Sequence, residues 1–72
     1  MRKQRFYTWL RGYSGNNTPM GDFARDVIGD NYFPKVNNFD IIHNYLVSKK
    51  ACPEAIKIFM TAYIKWENSN KQ

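Results

Sequence analysis

The sequence predicts an all-α fold of four helices, and three patterns carry that prediction. Apolar and aromatic residues recur at three- and four-residue intervals in four separate segments. No stretch alternates polar with apolar residues as a half-buried strand does. Thr-Pro, Asn-Asn and Pro-Glu pairs fall where three of these segments begin, and glycines close the first two.

The first segment, about Lys3 to Tyr13, sets Phe6, Trp9, Leu10 and Tyr13 on one helical face. Gly12 and Gly15 bracket its end, and Ser14-Gly15-Asn16-Asn17 reads as a loop. The second opens on Thr18-Pro19, a cap followed by a proline whose missing N–H costs nothing at the first helical position. Met20, Phe23, Ala24, Val27 and Ile28 repeat at helical spacing up to Gly29, and Asp22 complements the dipole in the first turn. Asp30 to Val36 is a connector. Pro34 pushes Phe33 out of helical geometry, so that ring is expected to plug the core from a loop.

The third segment begins at Asn37-Asn38, either of which suits a cap, and turns Phe39, Ile42, Tyr45 and Leu46 inward. Lys49-Lys50 then meet the negative end of its dipole. The fourth and longest runs from Pro53-Glu54 to about Asn68, with Ala55, Phe59, Ala62, Tyr63 and Trp66 on one arc.

Seventy-two residues suffice for one core, so residues 1–72 are read as a single domain with an ordered core over about 4–68. Aromatics make up 17% of the chain. Since each buries roughly 150–250 Å², the enrichment compensates for small size. One cysteine, Cys52, rules out an internal disulfide, and with a single histidine it leaves no Cys/His metal set. No cofactor is expected. No apolar run approaches the ~20 residues that span a bilayer, and no signal-peptide core is visible, so a cytoplasmic location without membrane contact is expected.

The ordered pieces Phe6-Tyr7-x-Trp9-Leu10, Pro19 with Asp22-Phe23-Ala24-x-Asp26-Val27, and Asp30-x-x-Phe33-Pro34-Lys35 continue into Ile42-x-x-Tyr45-Leu46 and Phe59-x-x-x-Tyr63-x-x-Trp66. Together they resemble the YozE family of small bacterial domains, over about residues 5 to 67. The resemblance implies a compact four-helix, sterile-alpha-motif-like fold without an assigned enzymatic activity. Folds of that kind serve protein interaction and, in some relatives, nucleic-acid binding, so fold alone does not choose. Familiar members are rich in acidic residues, one of them where Ile41 stands here. This chain instead carries Arg2, Lys3, Arg5, Arg11, Lys49, Lys50, Lys57 and Lys65. A shared core under an inverted surface charge implies a different partner.

Eleven Lys and Arg against six Asp and Glu give a net charge of +5 and a pI near 9.6. That balance favours a polyanionic partner, although charges also serve solubility. Arg2, Lys3 and Arg5 crowd the first helix's start, Arg11 follows, Lys35 lies in the connector and Lys49-Lys50 end the third helix. If they share a face they neutralise several phosphates, and binding falls steeply with salt. Scattered, they are a solvated surface. Tyr7, between Arg5 and Arg11, and Tyr32 in the connector are the rings placed to stack on bases if they are not packed inward.

On the fourth helix Met60 and Ile64 lie about 100° and 140° from Phe59, and Ile58 about −100°. With Ile41, Met60 and Ile64 are candidates for an exposed apolar protein interface, unless the fold wraps this helix on several sides. Catalytic patterns are weak. His43 with Asp40 lacks a nucleophile and oxyanion donors, Cys52 before Pro53 reads as a half-buried capping residue, and Gly12, Gly15 and Gly21 match no phosphate loop. The expected role is a non-enzymatic accessory protein of DNA metabolism. It binds nucleic acid, DNA ahead of RNA and possible as single strand, or sits on a larger protein partner such as a polymerase or primase, with no small-molecule substrate. The alternative is a protein-interaction adaptor without nucleic-acid binding.

Overall fold

Side-chain oxygens and prolines set the helix starts. The computed structural model describes residues 4–69, and among them four helices follow one another without a strand. They are α1 (Phe6–Arg11), α2 (Pro19–Ile28), α3 (Phe39–Ser48) and α4 (Pro53–Ser69). Arg2 and Lys3 lie outside the described residues.

Thr18 Oγ1 accepts the Gly21 N–H at 3.1 Å, with Pro19 at the first helical position of α2. Asn38 Oδ1 accepts the Ile41 N–H at 3.0 Å and so caps α3. Its neighbour Asn37 does something else. Arg5, the N-cap residue of α1, supplies no side-chain cap, and Asn37 Oδ1 accepts the Phe6 N–H from across the molecule at 3.0 Å. One Asn-Asn pair thus satisfies orphan donors on two helices, tying α1 to the connector.

α1 is shorter than the apolar spacing predicts, because the chain tightens after Arg11. Gly12, Tyr13 and Ser14 donate three residues back, to Trp9, Leu10 and Arg11. Arg25 of α2 gathers this loop, donating to the carbonyls of Ser14 (2.6 Å) and Asn16 (3.1 Å) while pairing with Asp22. A β-carbon on Gly21 would stand 2.0 Å from the Asn16 carbonyl oxygen, so the close approach of loop and helix requires glycine there.

The core lies where the predicted faces meet. Phe6 and Leu10 of α1, Phe23, Ala24 and Val27 of α2, Ile42 and Leu46 of α3, and Phe59, Ala62, Tyr63 and Trp66 of α4 are buried. Phe33 joins them from the connector at 3% exposure, as its place before Pro34 predicts. Trp9, Tyr13, Met20, Phe39, Tyr45 and Ala55 are half-buried around that cluster. α4 packs against all three other helices. Phe6 meets Tyr63, Trp66 and Phe59 at ring separations of 5.0, 5.7 and 6.0 Å, and Phe39 meets Phe59 at 5.0 Å. The Trp66 indole N–H donates to the Gln4 carbonyl at 2.8 Å, fastening the entry to α1 onto the last helix.

Packing on several sides of α4 corrects one expectation. Met60 is half-buried against the core, whereas Ile64 is 57% exposed and Ile41 of α3 is 49% exposed. Cys52 is exposed, not half-buried. α3 ends in a Schellman motif: Ala51 N–H donates to Leu46 O and Lys50 N–H to Val47 O, both at 3.0 Å. The left-handed residue this motif needs is Lys50, with φ of 60°.

Candidate nucleic-acid interface

A side chain one helical step off the buried stripe of α1 is half covered, and Tyr7 occupies that position. Its ring packs against buried Phe33 at 6.2 Å. Two cations from different parts of the chain sit over it, Lys35 Nζ at 5.2 Å and the Arg11 guanidinium at 6.0 Å. Arg11 arrives because it lies one turn after Tyr7. Lys35 arrives because Pro34 and buried Phe33 turn the connector against α1. The Asn37–Phe6 bond holds the same stretch of chain to the start of α1, beside exposed Arg5. Arg5, Arg11 and Lys35 are exposed and form no ion pair among the described residues.

Of its two readings Tyr7 takes the packed one. With Phe33 beside it and cations over it, the ring braces charge instead of offering a free face to a base. Tyr32, 86% exposed and three residues before Lys35, is the ring left open for stacking.

The lysine pair closing α3 does not behave as a unit. Lys49 donates to Asp30 Oδ2 at 2.8 Å and lies 5.5 Å from the Tyr45 ring centre, so its charge is already neutralised. Asp30 also accepts the Tyr45 hydroxyl and, through Oδ1, the Tyr32 N–H at 3.0 Å. Lys49 first, then Tyr45 and Tyr32, hold the Asp30 carboxyl down to about 2, and Asp30 pushes the Tyr45 hydroxyl up to about 12. Lys50 is exposed and forms no ion pair among the described residues.

A further cation joins α1 from the other flank. Lys65 of α4 places Nζ 5.9 Å from the Tyr13 ring, which in turn packs on Trp9 at 4.8 Å. Lys65 stands out in the sequence only as one more basic residue; its place beside α1 follows from the α1–α4 contact, which no local pattern announces. The candidate surface is thus Arg11 and Lys35 with Tyr7 beneath them, together with exposed Arg5 at the N-cap of α1. Lys49 is withdrawn from it by Asp30. His43 stacks on Phe39 at 5.7 Å, a packing role. No group of three or more His, Cys, Asp or Glu among the described residues is arranged to hold a metal ion, and no described helix is long and apolar enough to cross a membrane.

Comparison with curated proteins and with solved structures finds no match. The family model described as the YozE SAM-like fold matches residues 5–68, which takes in all four helices and the Phe33-Pro34-Lys35 turn. With the four-helix order, the buried aromatic positions and that turn all in place, the chain belongs to the YozE SAM-like fold family.

Proposed function

We propose that this chain is a non-enzymatic nucleic-acid-binding accessory protein, acting on DNA ahead of RNA, that meets the phosphate backbone through α1 and the connector. The observation that carries this reading is the convergence of Arg11 and Lys35 on Tyr7, both without a carboxylate partner among the described residues. Phosphate contacts need cations held at fixed spacing, and the half-buried ring supplies the brace. Arg5 extends the surface and Tyr32 offers a face to an unpaired base.

The test is anisotropy of labelled single- and double-stranded DNA titrated with the protein over a range of salt. Binding should weaken linearly in log salt, with a slope of about −0.7 per phosphate neutralised on a single strand. Arg11→Glu with Lys35→Glu should reduce affinity at least about tenfold, and Tyr32→Ala should weaken single-strand binding by about 1–3 kcal/mol. No binding at low salt, or unchanged binding by the double reversal, sinks the reading.

A seat on a larger DNA-processing enzyme such as a polymerase or primase belongs to this same reading. The second reading, a protein-interaction adaptor without nucleic-acid binding, is favoured by Ile41 and Ile64. Both are about half exposed although large and apolar.

A further inference from the structure

The acidic residues are as unevenly distributed as the basic ones. Four of the chain's six carboxylates, Asp22, Asp26, Asp30 and Glu54, line recesses on the α2–α4 side. The first, about 460 Å³, lies between α2, the connector and the junction of α3 with α4. A second, about 310 Å³, shares Phe23, Asp26, Cys52 and Ala55 with it, so the two are one groove. A third, about 380 Å³, continues it past Pro19, Glu54 and Ile58. The floor is apolar: Phe23, Val27, Phe33, Ala55 and Ile58 contribute to it.

The charges along this groove are not equivalent. Asp22 is paired with Arg25, and Asp30 with Lys49. Asp26 of α2 and Glu54 of α4 form no ion pair among the described residues, yet both line the same recess, one from each wall. Lys49 lines the first recess and Lys57 the third, but among the described residues no Lys or Arg lines the middle one. There, in a chain of net charge +5, two carboxylates without an ion pair over an apolar floor are a local inversion of sign. Phosphate is repelled from such a place. An extended or helical peptide that sets a Lys or Arg beside an apolar side chain fits both of its properties.

We infer that the α2–α4 groove is a docking site for a basic, apolar peptide segment of a partner protein, with Asp26 and Glu54 receiving its cationic side chains. The inference is independent of the nucleic-acid reading, since the groove shares no residue with the Arg5, Arg11 and Lys35 surface. The chain would then join a polyanion on one face to a basic segment on another.

Cys52 makes the groove testable, because this exposed thiol is the chain's sole cysteine and lines the two recesses that merge. A displayed library of random peptides is selected on the full chain, and the enriched peptides are synthesised. Expected are sequences with Lys or Arg near Leu, Ile, Phe or Met that slow alkylation of Cys52 by a maleimide. Asp26→Lys with Glu54→Lys should weaken these peptides at least about tenfold. Asp26→Asn with Glu54→Gln, which keeps side-chain shape, should weaken them in the same direction. Neither pair should weaken DNA binding, which the added positive charge can only favour, and circular dichroism checks that both variants remain helical. No enrichment, an acidic consensus, or peptides that leave Cys52 alkylation unchanged overturns the inference. Self-association of the chain that Asp26→Lys abolishes overturns it too, because the occupant is then a second copy.

Discussion

Two regions hold this molecule together by opposite means. Where α1 and α3 meet α4, rings do the work: each of Phe6, Phe39, Phe59, Tyr63 and Trp66 lies within about 6 Å of at least two of the others. Where the connector meets the end of α3, one carboxylate does it, with Asp30 gathering the Tyr32 N–H, the Tyr45 hydroxyl and the Lys49 ammonium. Below the range where tyrosines ionise, ring packing does not depend on pH, whereas the Asp30 clasp depends on ionisation. The difference matters for function, because the clasp anchors the connector that carries Tyr32 and Lys35, and it consumes the charge of Lys49. The aromatic region supplies rigidity; the clasp decides which cations remain available.

The most damaging substitution is on the aromatic side. Phe59 is fully buried and touches Phe6, Phe39 and Tyr63, so Phe59→Ala removes contacts to two other helices at once. The expected loss is about 3–5 kcal/mol, a large share of what a domain of this size possesses. Urea denaturation read by circular dichroism should show it equally at neutral and mildly acidic pH. A loss that varied strongly with pH would mean that the ring supports a titrating group, and the two regions would not differ in their dependence on ionisation.

A smaller and differently shaped effect is expected at the clasp. The folded Asp30 carboxyl titrates near 2, below its ordinary value of 3.8. The group therefore stabilises the fold fully above the unfolded value, and that stabilisation is lost as pH falls through about 4 to 2. Asp30→Asn should lower the urea midpoint at neutral pH, and the gap to the parent chain should close across that acid window. At the alkaline end the sign is reversed. Tyr45, raised from 10.0 to about 12, favours the fold while protonated, and its contribution disappears as pH rises through that interval. A gap between Asp30→Asn and the parent that stays constant down to pH 2 would assign the effect to geometry instead of charge.

The two regions were also unequally legible in the sequence. The rings of the core follow helical spacing, and a three- or four-residue period survives any tertiary arrangement, so Phe6, Phe59, Tyr63 and Trp66 could be assigned inward directly. Thr18 and Asn38 were legible for a similar reason, since a cap acts within three residues of itself. The clasp was not. Tyr45 and Lys49 lie 15 and 19 residues from Asp30, and only the folded connector brings them together. The same holds for Lys35 over Tyr7 and Lys65 over Tyr13, where the sequence gives the charges but not their neighbours. Whether Met60 is exposed could not be read from a helical wheel, which describes one helix, whereas α4 is packed by three.

The mildest substitution lies beside the clasp. Lys50 holds φ of 60°, and the two hydrogen bonds that close α3 depend on that geometry. A β-carbon there costs roughly 1 kcal/mol that glycine avoids, less the extra freedom glycine gains in the unfolded chain. Lys50→Gly should therefore raise stability by about 0.5 kcal/mol. Lys50→Ala keeps the steric cost while removing the same charge, so it should leave the urea midpoint unchanged or lower. If alanine stabilised as much as glycine, relief of charge crowding near Lys49, not backbone strain, would be the cause. The same pair also bears on the α3 terminus as a nucleic-acid contact. Both variants lack the ammonium, and equal weakening of DNA binding by glycine and alanine would mark Lys50 as a phosphate contact independent of its effect on the fold.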